Sequence, residues 1–287
     1  MAFFMLIVMN VAVMFSLYLI LFVAGKFFGI YIDQRSMGGL FVISLFFGFG
    51  GSFVSLLLSK FMAVRSMGVE VIKTPKNDVE IWLLKTVENL SSKAGIKMPD
   101  VGVFNGVPNA FATGWNKNNS LVAISTGLLE VMQTKEIEGV IAHEISHIKN
   151  GDMVTMTLMQ GVLNTFVIFI SRILASVFSR NKDGSTNQGI YFLVSILLEM
   201  VFSLFATMIL MWFSRYREYK ADEGAVNLDG AEGIYYALAR LGQVPAKELS
   251  LQNSYKSFGF VGFLGSFFAS HPPIEKRLKH IKEYVKS

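Results

Sequence analysis

The sequence predicts a mainly α-helical integral membrane protein, four membrane-crossing helices joined to an α+β region with a small β-sheet. Two observations lead there. Only 16% of the 287 residues are charged while 52% are hydrophobic, whereas a soluble domain carries about 25% charged residues. The apolar residues also gather into long runs, and the stretches between those runs alternate between helical and strand periodicity.

The first two runs, residues 3–24 and 38–58, contain no charged side chain. Each approaches the roughly 20 residues a helix needs to cross the hydrocarbon core. The first has no basic segment ahead of it and no small-residue cleavage site, so it reads as a retained anchor and not a signal peptide. Runs 153–178 and 190–213 are less pure. One carries Gln160, Asn164 and Arg172, and the other carries Glu199. Asn164 and Glu199 fall at similar depths, which predicts a hydrogen bond to a protonated Glu199; an intramembrane acid is otherwise costly.

The formal charge of +5 does not indicate nucleic acid, because the basic residues sit beside the spans. Lys60, Arg65, Lys73 and Lys76 follow the second run, and Arg215, Arg217 and Lys220 follow the fourth. The positive-inside rule then places 60–150, 214–287 and both termini in the cytoplasm. With no cysteine, disulfides, thiolate ligands and a cysteine nucleophile are excluded. The expected organisation is two spans in 1–59, a cytoplasmic region in 60–152, a membrane hairpin in 153–213 and a second cytoplasmic region in 214–287.

Within the polar region, 79–94 has the apolar spacing of an amphipathic helix, and 101–105 and 121–125 read as short strands. A further helix is expected from Thr134, acting as N-cap, to Asn150, with Gly151 just beyond its end. Residues 214–228 continue the fourth span as helix. The remainder reads as helical except for a Gly- and Phe-rich stretch, 258–268, suited to lining a cleft, docking on the membrane or filling the core.

The helix from Thr134 contains His143-Glu144-Ile145-Ser146-His147. Histidines at i and i+4 share a helical face, so both imidazoles can reach one ion. Glu144 stands where a carboxylate can take a proton from water activated by zinc, the chemistry of peptide hydrolysis. A chance match on an amphipathic helix is the alternative reading of this motif alone. For a third ligand the candidates are His271, His280 and several carboxylates, of which Glu218 is best placed. Asp222, one turn later, suits the role of orienting a ligating histidine. Topology agrees: two antiparallel spans between His147 and Glu218 return the chain to the same side. Further along, 109–114 reads as an edge strand able to pair with an extended peptide, or as an ordinary hairpin. In the first case Asn109, Ala110 and Ala112 would meet the substrate while Phe111 anchors the other face.

Four motifs together resemble the HtpX family of membrane metalloproteases, relatives of the CAAX prenyl proteases. They are Pro108-Asn109-Ala110-Phe111-Ala112-Thr113-Gly114, the run from Ala142 through His143-Glu144 and His147 to Asp152, the segment from Glu218 to Asp222, and Ser270-His271-Pro272-Pro273. The resemblance implies a gluzincin-like fold with a cytoplasmic active site in a bacterial inner membrane. It also implies one zinc ion held by His143, His147 and Glu218, with Glu144 as general base. By the same resemblance His271 stabilises the oxyanion, although a helix-capping role fits its sequence context equally. Arg277 is expected to make an ion pair near the site, with Asp152. Family membership further implies quality control of misfolded membrane proteins under stress, alongside an ATP-dependent membrane protease. The chain itself shows no nucleotide-binding Gly-x-x-x-x-Gly-Lys signature. CAAX processing is the weaker analogy, and a non-catalytic zinc scaffold is disfavoured by the intact Glu144.

Overall fold

The computed structural model describes residues 36–182, 184–243 and 271–287, with positions 19, 22, 26 and 27. Along the chain run α1 (Met37–Met67), β1 (Glu70–Val71), α2 (Asp78–Ala94), β2 (Asp100–Phe104), β3 (Ala110–Asn116) and β4 (Asn119–Ser125). Then come α3 (Thr126–Val131), α4 (Thr134–Asn150), α5 (Asp152–Phe178), α6 (Gln188–Asp229), α7 (Ala231–Gln243) and α8 (Ile274–Lys286). The elements fall into two compact units. Among the described residues, one combines those up to Leu56 with those of Met156–Leu210, and the other combines Leu57–Thr155 with those from Met211 to Ser287.

The first unit is built from the apolar parts of α1, α5 and α6, three helices long and apolar enough to cross a membrane. Phe166, Phe192 and Phe205 are exposed on them, as side chains facing lipid would be. Phe41 and Phe169 meet edge to face at 5.5 Å, a geometry favoured by the ring quadrupoles. The expected span 3–24 lies outside the described residues, as does the 258–268 stretch. The expected bond between Asn164 and Glu199 does not form. Asn164 instead accepts from Gln160 one turn earlier, at 2.7 Å, and Glu199 lies 3.9 Å from Arg172 Nε. A neighbour at i−4 satisfies the amide locally, and a guanidinium offers the acid a full charge where an amide offers only a dipole.

The second unit is α+β. Its sheet has the order β1-β2-β4-β3, with β2 and β4 parallel and β3 antiparallel to β4. Strand β4 is central and almost wholly buried, so it reads as an unbroken apolar run, while β3 is left at an edge. The main core joins α2, α4 and α7 over one sheet face through Leu83, Leu90, Ile141, Ile145, Ile234 and Leu238. Phe111 enters a smaller cluster with Val69, Phe104, Leu121 and Ala123 on the other face.

Local signals set the boundaries of the central helix. The cap of α4 is Gln133 and not Thr134, and its backbone N–H donates to Glu136 at 2.8 Å. That pairing satisfies a donor the helix itself leaves free. At the other end Gly151 adopts φ 71° and donates to the carbonyls of His147 and Ile148, the left-handed turn that glycine tolerates best. Helices α4 and α7 touch backbone to backbone where Gly139 crosses Gly233; a Cβ on Gly139 would lie 2.2 Å from the amide nitrogen of Ile234.

Candidate metal centre

Helical spacing makes the centre. On α4 the imidazoles of His143 and His147 meet edge to face, one turn apart, with ring centroids at 4.7 Å. The apolar part of α6 ends at Phe213, and the next turns carry Glu218 and Asp222 on one face. Ala221 and Ala225 are fully buried, small enough for α6 to lie close against α4. One ligand atom from each of His143, His147 and Glu218 falls within 4.8 Å of the others.

The outer nitrogens of both rings are spoken for. His143 Nδ1 is 3.0 Å from Asp222 Oδ1, and His147 Nδ1 is 2.6 Å from Asp152 Oδ2. Donation from both Nδ1 atoms leaves the Nε2 lone pairs facing each other at 3.1 Å. Glu218 completes the point, with Oε1 3.4 Å from His147 Nε2 and Oε2 3.6 Å from His143 Nε2. Converging lone pairs repel unless a cation or a proton lies among them, so this donor set fits a metal ion. Imidazole and carboxylate donors of this kind suit zinc. Glu218 Oε2 is buried without a donor at hydrogen-bonding geometry, although His271 Nδ1 stands 2.8 Å away and Arg277 3.2 Å away.

Electrostatics point the same way. Burial opposes a charge on His147, but its contacts with Asp152 and Glu218 outweigh that and push its pKa up to about 10. Burial likewise opposes ionisation of Glu218, yet the histidines around it hold it well below the usual carboxylate range. Asp222 is pushed down to about 2, with the Arg277 guanidinium overcoming burial. Three carboxylates, Asp152, Glu218 and Asp222, thus face two guanidiniums, Arg217 and Arg277. The excess negative charge draws a proton or a metal cation to the same place.

Arg277 makes the ion pair expected near the site, but with Asp222, at 2.6 and 2.8 Å, and not with Asp152, because α8 lays it against the turn of α6 that carries Asp222. Asp152 is held by Arg217, which donates to its main-chain carbonyl at 2.8 Å and lies 3.9 Å from its carboxylate. Sequence reasoning missed both Asp152 as the partner of His147 and Arg217 as its support. The available signal was the helix-ending Gly151, which turns the chain so that the next residue folds back on the last turn.

Glu144 is half-buried and lines a cleft of about 170 Å³ with His143, Glu218, His271, Asn109 and Ala110. Ala112 packs on the main core, and Phe111 packs on the opposite face of the edge strand. His271 is about half exposed at the cleft mouth. A larger cleft of about 440 Å³ at β1 holds none of these groups.

Residues 77–285 match the family described as Peptidase family M48. The chain belongs to peptidase family M48. Among curated relatives, Protease HtpX of Pasteurella multocida is 50% identical over 278 residues, covering 96% of this chain and 95% of that protein. Protease HtpX of Glaesserella parasuis is 51% identical over 278 residues, covering 95% of this chain and 96% of that one. Among solved structures, the crystal structure of S. mikatae Ste24p aligns with a TM-score of 0.60 at 24% identity. The alignment covers 92% of this chain and spans 61% of the Ste24p chain, a likeness of fold. This M48 member is therefore a membrane metallopeptidase, as its HtpX resemblance implied.

Proposed function

We propose that the chain is a zinc-dependent endopeptidase that hydrolyses peptide bonds in cytosolic parts of misfolded or damaged membrane proteins. The observation that carries this reading is the convergence of two imidazole nitrogens and a buried carboxylate on one point, with Glu144 beside it in an open cleft. His143, His147 and Glu218 would hold the ion, and a zinc ion bound there would supply Lewis acidity, lowering the pKa of a bound water to about 7. Asp222 and Asp152 keep the two imidazoles in the Nδ1–H tautomer and aim their Nε2 atoms. Arg277 and Arg217 fix those carboxylates in turn.

The Glu144 carboxylate takes the proton from the water that attacks the scissile carbonyl carbon. It returns that proton to the departing amide nitrogen as the C–N bond breaks. His271, at the cleft mouth, is the side chain best placed to donate to the oxygen that becomes negative. The edge strand at Asn109–Ala112 offers backbone groups to an extended substrate. Basic residues flanking the helices support a bacterial inner-membrane topology of four spans, with the centre and both termini in the cytoplasm. Substrates are then exposed tails, loops or chains already unfolded, and an ATP-dependent membrane protease is a fitting partner for folded ones.

The test is zinc content and casein cleavage by detergent-purified wild type beside Glu144→Gln and Glu218→Ala. Zinc is expected in the wild type and Glu144→Gln, with cleavage by the wild type alone. Equal cleavage by Glu144→Gln would remove Glu144 as the base.

A further inference from the structure

Two helices leave their apolar runs at levels the sequence marks. The uncharged run of α1 ends at Leu58, just before Lys60, and the apolar run of α5 begins at Met153, just after Gly151. At about 1.5 Å per residue, Lys60 and Gly151 each lie about 3 Å from the end of a run. The tip of the β3–β4 hairpin reaches both. Lys60 donates to Asn119 at 3.0 Å while it pairs with Asp100 at 2.8 Å, and a Cβ on Gly151 would lie 3.5 Å from Lys117 Cε.

The tip is held rigidly. Asn116 Oδ1 accepts from the backbone N–H groups of Asn118 and Asn119, at 2.7 and 2.8 Å. Just ahead of it the ladder slips: Gly114 pairs with Ser120 and Asn116 with Asn119, with Trp115 as the extra residue between them. A bulge of this kind re-aims a side chain. It depends on Gly114, at φ 144°, where a Cβ would lie 2.3 Å from the Asn119 carbonyl oxygen. The indole turned out by the bulge is 40% exposed and joins neither core cluster. Trp82, by contrast, packs on the main core.

A turn needs no exposed indole, whereas the border between lipid and water favours one. Helix α6 makes the same choice where its apolar run ends, with Trp212 and, one turn on, Tyr216 both exposed. Charge agrees as well. Residues 110–120 contain no acidic side chain, and Lys117 at the tip and Lys149 in the last turn of α4 are exposed, as suits anionic headgroups. We propose that the β3–β4 tip is a membrane-contact site, with Trp115 and Lys117 seated in the phospholipid headgroup layer, and that it presents the free edge of β3 to polypeptide leaving the bilayer. Strand β3 is the last of its sheet, and Ala110, at its other end, lines the cleft with His143 and Glu144. From Asn116 to Ala110 the strand covers about 20 Å, at about 3.3 Å per residue. The lipid contact stands on its own, while the delivery of substrate along β3 rests on the endopeptidase reading.

The test has two arms, both on the full-length, zinc-loaded protein. In nanodiscs of phosphatidylethanolamine and phosphatidylglycerol, Trp115 is made the lone tryptophan by Trp82→Phe and Trp212→Phe. Its emission is expected to be quenched strongly by a nitroxide on the lipid headgroup and weakly by iodide in solution. Should that variant fold poorly, the difference in emission between wild type and Trp115→Ser gives the same reading. Iodide quenching as strong as that of free indole, with none from the headgroup nitroxide, overturns the contact. In proteoliposomes, Trp115→Ser is expected to cut a single-span substrate about fivefold more slowly than wild type, the effect of losing one modest contact, with casein cleavage unchanged. Equal losses on both substrates, or no loss on either, overturn the presenting role. Wild type that cuts no more than Glu144→Gln brings down the endopeptidase reading and the delivery with it, while the quenching decides the lipid contact independently.

Discussion

Each imidazole of the centre gives one nitrogen to a carboxylate and turns the other toward the shared point, so the carboxylates govern affinity from a distance. Asp152→Asn keeps the shape and removes the charge that holds His147. Zinc affinity is expected to fall roughly 10–100-fold, read by competition with a chromophoric chelator. Unchanged affinity would reduce Asp152 to the first residue of α5. Glu136 gives a pH dependence. Burial opposes its ionisation, but the Arg240 guanidinium, at 2.6 Å, and the Gln133 backbone N–H hold its pKa below the ordinary 4.5. A depressed carboxylate contributes stability that is complete above its unfolded pKa and is lost as pH falls through the folded one. Thermal melts of wild type and Glu136→Gln should therefore differ most at neutral pH and converge under acid. A gap that stayed constant down to pH 3 would mean the ion pair contributes nothing.

Between elements, the tightest constraint is the crossing of α4 and α7. Replacing a helical glycine with alanine ordinarily stabilises by roughly 0.5–1 kcal/mol. At Gly139 the added methyl meets backbone, which cannot swing aside, so the sign reverses. Gly139→Ala is expected to lower stability by about 1–3 kcal/mol, measured as a drop in melting temperature. A rise would show that the helices separate at little cost. Much at this scale was legible in the sequence because its causes are local. The apolar spacing of α2, the Gly151 stop of α4 and the strand character of β4 all lie within a few residues of what they determine. The start of α4 was misread by one residue, since Gln133 caps it through a backbone bond to Glu136 and a sequence shows that pairing less plainly than a Ser or Thr.

Across the whole molecule, a metal ion held by side chains from α4 and α6 would clamp together distant stretches of chain. Anything that binds only the folded state stabilises it by linkage, about 2.7 kcal/mol at a hundredfold excess over Kd. Chelation should therefore lower the melting temperature, and added zinc should restore it. An unchanged melt would remove His143, His147 and Glu218 as an equilibrium metal site. Legibility declines with distance as well. The histidine pair is written in one helical turn, whereas Glu218 was one candidate among several for the third position, consistent with the count of spans between and taken from the family resemblance. The partners of Arg277, Asp152 and Glu199 depend on how whole helices are laid against one another, which spacing along the chain does not encode.

Glu218 follows the two histidines only after all of α5 and most of α6. During synthesis the chain therefore carries the proposed base and both imidazoles for the whole time it takes to make that hairpin. An emerging or truncated chain that stops short of residue 218 has a peptidase's motif without its full grip on metal. The centre is completed late, after the ribosome has made the apolar hairpin of α5 and α6, and an unfinished copy is a poor hazard to its neighbours.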